Sequence, residues 1–249
     1  LKETFKNRPF IVLMVYKLCQ VFGERIFQGM LFYIGMYYVC KGDKNMATAI
    51  VGKAGSIGVF VTFLVLPTIK PISKWLGKRA GLIIPSVIAL VMMLSQPWLL
   101  TPEHPHLLMI PTLMLSALSI ISNSMINAIV PDICDLDELE HGERREGLFT
   151  SVVAFMGKLE ISLSLQLVGL LVAFSGANMK TTIQSAAVNE RLLWIAIGFG
   201  VFFSICALGA AFFFRMTEAT MNDVRVKLET RRAAAKATTA GATAAPADT

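Results

Sequence analysis

Residues 132–146 read DICDLDELEHGERRE and place a dense run of acidic and basic side chains between two long apolar stretches. Carboxylates at such spacing could hold a metal ion, but an EF-hand calcium loop needs a glycine directly after its aspartates. Gly142 comes too late after Asp135 and Asp137 for that site. A charge cluster this dense beside long apolar stretches normally marks a cytoplasmic loop, a gate or the mouth of an active site. The segment therefore predicts a gate or the mouth of a site, with a solvated loop of no special role as the alternative.

Two ionisable residues, Lys158 and Glu160, lie inside the apolar stretch SVVAFMGKLEISLSLQL. Lys158 is about ten residues into a predicted helix, roughly 15 Å along its axis, so its ammonium group cannot easily reach the membrane surface. Ionisable residues at this depth are costly, and by default they face a cavity or a partner. Lys158 is therefore predicted to hold substrate hydroxyls or a carboxylate, with a structural ion pair as the alternative. Glu160 lies about 200° around the same helix, so it either pairs with another helix or takes up a proton.

A second polar set lies in the first apolar stretch, at spacings of three and four residues. Lys17, Gln20, Glu24 and Gln28 therefore share one face of a helix, where neighbouring side chains can reach each other. A helix facing lipid on all sides would not carry such a stripe. The stripe predicts either the lining of a cavity, with Lys17, Gln20 and Glu24 as substrate-binding or coupling residues, or an interface with another helix.

Membrane helices must position these residues. Hydrophobic residues make up 55% of the 249-residue chain and charged residues 16%, whereas a soluble domain usually carries about 25% charged residues. Apolar blocks longer than about 18 residues predict membrane spans, which must be helical because lipid-exposed backbone has to satisfy its own hydrogen bonds. Breaks are predicted at Gly42, Pro71 with Gly77, Pro102 with Pro105, Pro131, and 176–178. We expect a transmembrane domain over residues 1–215 with six spans, at about 10–40, 47–69, 81–100, 107–130, 148–175 and 192–214.

Basic residues concentrate on one side of this domain: the N-terminal stretch, the turn after the second span, the charged run and the residues after the last span. The positive-inside rule places that side, and both termini, in the cytoplasm. Residues 216–249 are predicted to form a cytoplasmic tail that is disordered after about 232, where it becomes rich in Ala and Thr. The net charge of +6 then belongs to membrane loops rather than to a nucleic-acid surface. The four cysteines are too far apart for a zinc site or a disulfide framework.

The order of residues in the charged run resembles a transporter signature. The matching residues are similar to the segment between the tenth and eleventh helices of the glycoside-pentoside-hexuronide:cation symporters, a branch of the major facilitator superfamily. They are Pro131, Asp132, Asp135, Glu138, Gly142, Arg144, Arg145, Glu146 and Gly147, followed by Lys158. YYV at 37–39, GKRAG at 77–81 and RMTEATMNDV after the last span also fit, so the resemblance covers about residues 1–232. Leu136 replaces an aromatic residue of the family and Glu160 a residue that is usually small, which leaves the substrate open and could indicate proton coupling.

The resemblance implies a fold and a set of roles. It predicts an all-α membrane protein whose six transmembrane helices form two three-helix inverted repeats, one half of a major facilitator superfamily fold. The chain, which begins at Leu1 rather than Met, would be the C-terminal half of a twelve-helix carrier. The coupling cation, Na⁺ or H⁺, would bind mainly in the missing N-terminal half, and no organic cofactor, metal or catalytic residue is expected. Lys158 matches a lysine that faces the central cavity, and the acids and arginines of the charged run match a cytoplasmic gate: Asp132, Asp135, Glu138, Arg144, Arg145 and Glu146.

These observations predict a cation-coupled symporter for sugars or glycosides in the bacterial inner membrane, with the substrate held between two halves. Its partners would be a small molecule, the lipid bilayer and the missing half, but not nucleic acid. A magnesium-dependent membrane prenyltransferase is a weaker alternative, because it would use Asp132 and Asp135 but needs a second acidic motif that this chain lacks. A non-transporting scaffold or binding protein is the other alternative, and it would need no partner half.

Overall fold

The computed structural model describes residues 7–142, 145–178, 181, 183–214, 216, 220–224 and 226–231, without the side chains of 69, 70 and 72–76. These residues form a helical bundle, and no strand occurs among them. The helices are α1 (Arg8–Ile34), continued by a π-helical turn (Gly35–Val39), α2 (Lys44–Leu99), α3 (Met109–His141), α4 (Glu146–Phe174) and α5 (Ala186–Phe213). A 3₁₀ turn (Pro105–Leu108) leads into α3.

Helix α2 contains two predicted spans joined across a sharp corner. Gly77 has φ 78° and ψ 162°, a conformation that only glycine adopts readily. It separates a first arm, with the apolar segment Lys44–Thr68, from a second arm, Gly77–Leu99. Pro71, predicted to help end the second span, lies inside the helix, so that prediction is wrong. A proline removes one backbone hydrogen bond, whereas the positive φ of Gly77 redirects the whole chain.

Helix α3 continues well past its predicted end. It runs through Pro131 to His141 and ends at Gly142, whose φ of 79° gives a left-handed C-cap. The predicted break at Pro131 is therefore wrong, because helices within a packed bundle tolerate a proline when neighbouring groups satisfy the freed backbone. Residues 132–141 are helical rather than a loop, so their acidic side chains have fixed positions on a helix surface.

Among the described residues, five helical segments are long and apolar enough to cross a membrane: the two arms of α2, Pro105–His141, α4 and α5. The prediction of a multi-pass, all-α membrane protein is confirmed. Helix α1 is long enough to cross, about 40 Å at 1.5 Å per residue, but its polar stripe lowers its hydropathy. Helix α5 begins earlier than the predicted 192, because the Ser185 side chain caps it by accepting a hydrogen bond from the Val188 N–H.

Helix α1 lies at the centre of the bundle and packs mainly on α5, α4 and α3. Two apolar clusters hold the bundle. One, which includes Ile34, Leu100 and Val172, surrounds the end that carries the π-helical turn. The other, which includes Phe10 and Phe149, lies toward the end formed by the Gly77 corner and the α3–α4 connection, called the charged end below. The buried polar residues of α1 lie between these clusters.

The chain returns to the charged end after α5. Residues 220–224 and 226–231 are helical, and Met221, Val224 and Leu228 are buried against the charged-end cluster. Their spacing of three and four residues places all three on one helix face. The predicted disordered end, residues 232–249, lies outside the described residues.

Candidate functional site

The polar stripe of α1 connects that helix to α4. Lys17 Nζ donates hydrogen bonds to both carboxylate oxygens of Glu160, at 2.8 Å to Oε1 and 2.6 Å to Oε2. The two side chains are only 7% and 1% exposed. Gly157 lies beside this pair, and a Cβ there would make an ordinary van der Waals contact with Lys17 Nζ at 3.7 Å. Of the two predictions made for Glu160 from the sequence, the observed contact with Lys17 of α1 agrees with pairing to another helix.

The next two residues of the stripe bind each other, and Gln20 also contacts the second arm of α2. Gln20 Nε2 donates to Glu24 Oε1 at 2.7 Å, while Ser86 Oγ donates to Gln20 Oε1 at 3.2 Å. Gln20 and Glu24 are 2% and 5% exposed. Within this bundle Lys17 therefore meets α4 and Gln20 meets α2, while Glu24 is buried beside Gln20. Gln28 lies on an exposed part of α1.

Lys158 lies on the opposite side of α4 from Glu160. It is exposed on this bundle and makes no ion pair or hydrogen bond with the part of the chain that the structure describes. It sits near the middle of α4, about 18 Å from the helix start at 1.5 Å per residue. Its role in substrate binding or coupling stays a prediction. The structure shows that its side chain is exposed on the surface of the bundle, near the middle of α4.

Further polar residues share the face of α4 that carries Lys158. Ser151, Ser162 and Gln166 are also exposed, and their offsets of seven, four and eight residues from Lys158 keep them on one side of the helix. Lysine, serine and glutamine together offer donors and acceptors of the kind that hydroxyl groups bind. Sequence inspection named only Lys158 here, although the spacing of the others was available as a signal.

The Gly77 corner brings a lysine to the predicted gate. Lys78 forms an ion pair with Asp132, and its Nζ also lies 3.5 Å from the Ala128 carbonyl oxygen. Asp132 is 2% exposed, so the pair is screened from water. Sequence analysis assigned Asp132 to the gate but missed Lys78, although the GKRAG turn was among the residues that carried the resemblance.

The remaining predicted gate residues occupy both sides of the short α3–α4 connection. Asp135 and Glu138 are half-buried on α3, and Arg145 and Glu146 are half-buried where α4 begins. A carboxylate in the first turn of a helix is favoured by the helix dipole, as for Glu146. Arg144 lies outside the described residues.

Asp137 is a buried acid of α3 that the sequence analysis did not assign to the gate. It is 2% exposed, and its Oδ1 lies 3.1 Å from His141 Nδ1, one turn further along α3. The prediction treated residues 132–146 as a loop, in which burial of one particular acid could not be inferred. Once α3 is known to be helical, Asp137 and His141, four residues apart, lie on one face of it, which brings the two side chains into contact.

Two arginines bind helix ends at the same side of the bundle. Arg79 Nη2 donates to the Phe212 carbonyl oxygen at 2.9 Å, in the last turn of α5. Arg231 Nη1 donates to the Leu139 carbonyl oxygen at 3.4 Å, in the last turns of α3. Cations at helix C-termini satisfy free carbonyls and interact favourably with the dipole. The charged end is therefore held by contacts between segments distant in sequence.

A groove lies beside this charged end, between α3 and α4. It has a volume of about 320 Å³ and is lined by Asn127, Val130, Pro131, Glu146, Thr150, Val153 and Ala154. Among the described residues, no group of three or more His, Cys, Asp or Glu side chains could hold a metal ion. The expectation that the chain binds no cofactor stays a prediction.

Comparison with known proteins gives two matches. The sequence model of a family described as "MFS/sugar transport protein" matches residues 1–218. A curated protein of Synechocystis sp., described as an uncharacterized symporter, is 27% identical over 247 residues, which cover 93% of this chain and 42% of that protein. The chain thus spans less than half the length of this relative.

Proposed function

The chain belongs to the MFS/sugar transport protein family, and from that premise we propose that it is the C-terminal six-helix half of a cation-coupled symporter for sugars or glycosides. The family is one of transporters rather than enzymes, so magnesium-dependent prenyl transfer is not supported. The substrate is held between this half and a preceding six-helix half, and rocking of the halves gives alternating access. The relative's greater length supports a second half, since the match accounts for 42% of that protein.

The observation that carries this proposal is the exposed polar face of α4. A lysine at the centre of a membrane helix costs about 2.5–3.5 kcal/mol on insertion scales if it faces lipid, so this face requires water or a protein partner. Lys158, Ser162 and Gln166 supply an ammonium, a hydroxyl and an amide to that space. Sugar hydroxyls both donate and accept hydrogen bonds, so such a mixed set suits them better than a purely apolar or purely acidic lining would.

The charged end acts as the cytoplasmic gate in this proposal. The Lys78–Asp132 ion pair links the second arm of α2 to α3, and the residues around Arg145 connect α3 to α4. Ion pairs that break and re-form at such links allow two discrete arrangements of packed helices. The protein would lie in the bacterial inner membrane with both termini cytoplasmic, as the distribution of basic residues favours. The coupling cation, Na⁺ or H⁺, would bind mainly in the preceding half.

Replacing Lys158 with Ala in the natural protein tests this function. The protein would be reconstituted in proteoliposomes, and a sodium or a proton gradient would be imposed across their membrane. The initial uptake of radiolabelled galactosides, glucosides and glucuronides would then be measured. Loss of one charge-assisted hydrogen bond, worth about 1.5–3 kcal/mol, should lower uptake at low substrate about tenfold or more. Lys53→Ala is the matched control, because Lys53 is an exposed lysine near the start of the first arm of α2.

The results of this assay test two points: the role of Lys158 and the choice between a sugar symporter and a non-transporting scaffold. Equal uptake by the Lys158→Ala and unmodified proteins would remove Lys158 from the substrate site. Correct insertion without uptake of any of these sugars under either gradient would count against the sugar symporter and favour the non-transporting scaffold.

A further inference from the structure

Glu24 is a buried carboxyl group that forms no ion pair with the residues that the structure describes. It lies in the middle of α1 and is 5% exposed. Oε1 accepts one hydrogen bond, from Gln20, whereas Oε2 is buried without a hydrogen-bond partner among the residues that the structure describes. Gln20 is itself oriented by Ser86, so the donor facing Glu24 is a neutral amide. A bound water would add a hydrogen bond at Oε2 but no positive charge.

The helices packed against α1 bring no cation to Glu24. The second arm of α2 has no charged residue between 82 and 99, and α3 has none between 109 and 130. In α5, Cys206 is the sole titratable residue between 192 and 213. Serines and apolar side chains dominate these stretches, so these three helix segments bring no charge to Glu24.

The charged residues of α1 and α4 are engaged or directed elsewhere. Lys17 is held by both oxygens of Glu160. Arg25, the next residue of α1, is exposed and acts on Glu24 through its charge without forming an ion pair, and Lys158 is exposed and forms no ion pair with Glu24. Tyr16, another titratable residue of α1, donates to the Leu82 carbonyl oxygen at 3.2 Å.

Two buried glutamates of the same bundle therefore differ in kind. Glu160 is neutralised by a lysine at hydrogen-bond distance, so it is stable as a carboxylate. Glu24 would be an uncompensated anion if ionised, and burying such an ion costs several kcal/mol even after the protein relaxes. Protonation removes that cost and converts an oxygen of Glu24 into a donor. If such a carboxyl group ionises only when it is exposed to water, then proton release depends on whether the surrounding helices are packed or open.

We propose that Glu24 is a proton-binding site, whose carboxyl is protonated at Oε2 in this conformation and releases the proton to water when the packing of α1 against α2 and α3 opens. Protonation of Glu24 in the closed bundle stands apart from the proposed transport function. The use of that proton to drive transport does rest on the proposed transport function. It would add a cation site in this half to the one expected in the preceding half.

Infrared difference spectroscopy tests the site directly. The natural protein and its Glu24→Gln and Glu160→Gln variants would be reconstituted in lipid nanodiscs at neutral pH. Subtracting the Glu24→Gln spectrum from the unmodified spectrum should leave a protonated-carboxyl C=O band that shifts in D₂O. The matched subtraction for Glu160→Gln should leave carboxylate bands instead. Carboxylate bands in the Glu24 subtraction, with or without sodium present, would overturn the proposal.

Thermal stability gives a second readout on the same variants. Glutamine has the shape of a neutral glutamic acid, so Glu24→Gln should melt at the temperature of the unmodified protein, while Glu160→Gln should melt lower because Lys17 loses its partner. A Glu24→Gln protein that fails to fold, or melts as low as Glu160→Gln, would show that a charge at position 24 is needed and would refute protonation. Neither readout requires uptake, so these outcomes are independent of whether the protein transports sugars.

Discussion

Breaking the Lys17–Glu160 ion pair should be among the most destabilising single changes in this bundle. Lys17→Met leaves the Glu160 carboxylate buried at 1% exposure without its cation, and Glu160→Met leaves the Lys17 ammonium buried without its anion. The double variant Lys17→Met/Glu160→Met removes both charges and fills the space with side chains of similar length. The three variants form a double-mutant cycle around one contact.

The expected magnitude follows from the burial of both partners. Exposed ion pairs contribute about 0–1 kcal/mol, but that value does not apply to side chains that are 7% and 1% exposed. Removing one partner of a buried pair costs about 3–5 kcal/mol, whereas replacing both with well-packed apolar residues is often neutral. Each single variant should therefore lose about 3–5 kcal/mol of unfolding free energy, and the double variant should recover most of it.

Reversible unfolding in mixed micelles, with increasing sodium dodecyl sulfate, measures these free energies. Lys158→Met is the matched control, because Lys158 lies on the same helix as Glu160 but is exposed and has no described partner. Its unfolding free energy should change far less. If the double variant lost as much as the sum of the two single variants, the two charges would not be coupled, and the argument from burial and pairing would be refuted.

Two further predictions concern the charged end. Gly77→Ala should lose about 1–3 kcal/mol of unfolding free energy, because the φ of 78° and ψ of 162° are strained for any residue with a Cβ; Gly52→Ala, at a helical site with no atom within 4 Å of an added Cβ, should not. Equal losses would show that the corner is not conformationally demanding. Exchanging charges at the gate, by Lys78→Asp or Asp132→Lys alone, should abolish turnover in the uptake assay, and combining them should restore part of it because the ion pair re-forms with reversed polarity. A combined variant no better than either single one would remove the pair from the gating mechanism.

The sequence by itself determined that the chain is an all-α membrane protein and which polar residues lie within its apolar stretches. Hydropathy and helical spacing are local properties, so they identified both Lys158 in α4 and the stripe that begins at Lys17. They also separated Glu160 from Lys158, because residues two apart on a helix point to different sides. The corner at Gly77 was visible for the same reason, since glycine marks backbone that other residues avoid.

Local signals failed where the surrounding structure overrides them. Pro131 reads as a helix end, yet α3 continues to His141 because its freed backbone groups lie within a packed bundle. This error turned a rigid acidic helix surface into an apparent loop and hid the burial of Asp137. The position of each acid became clear only after the helix was known to continue.

Which polar groups meet was decided by tertiary structure alone. Lys17 and Glu160 are 143 residues apart, and Lys78 reaches Asp132 only because the Gly77 corner returns the chain beside α3. Spacing along one helix shows which side chains share its face, but the partner depends on which other helix packs there and at what height. Glu24 differs from Glu160 for this reason: both are glutamates inside apolar helices, and packing supplies a lysine to one and only neutral groups to the other.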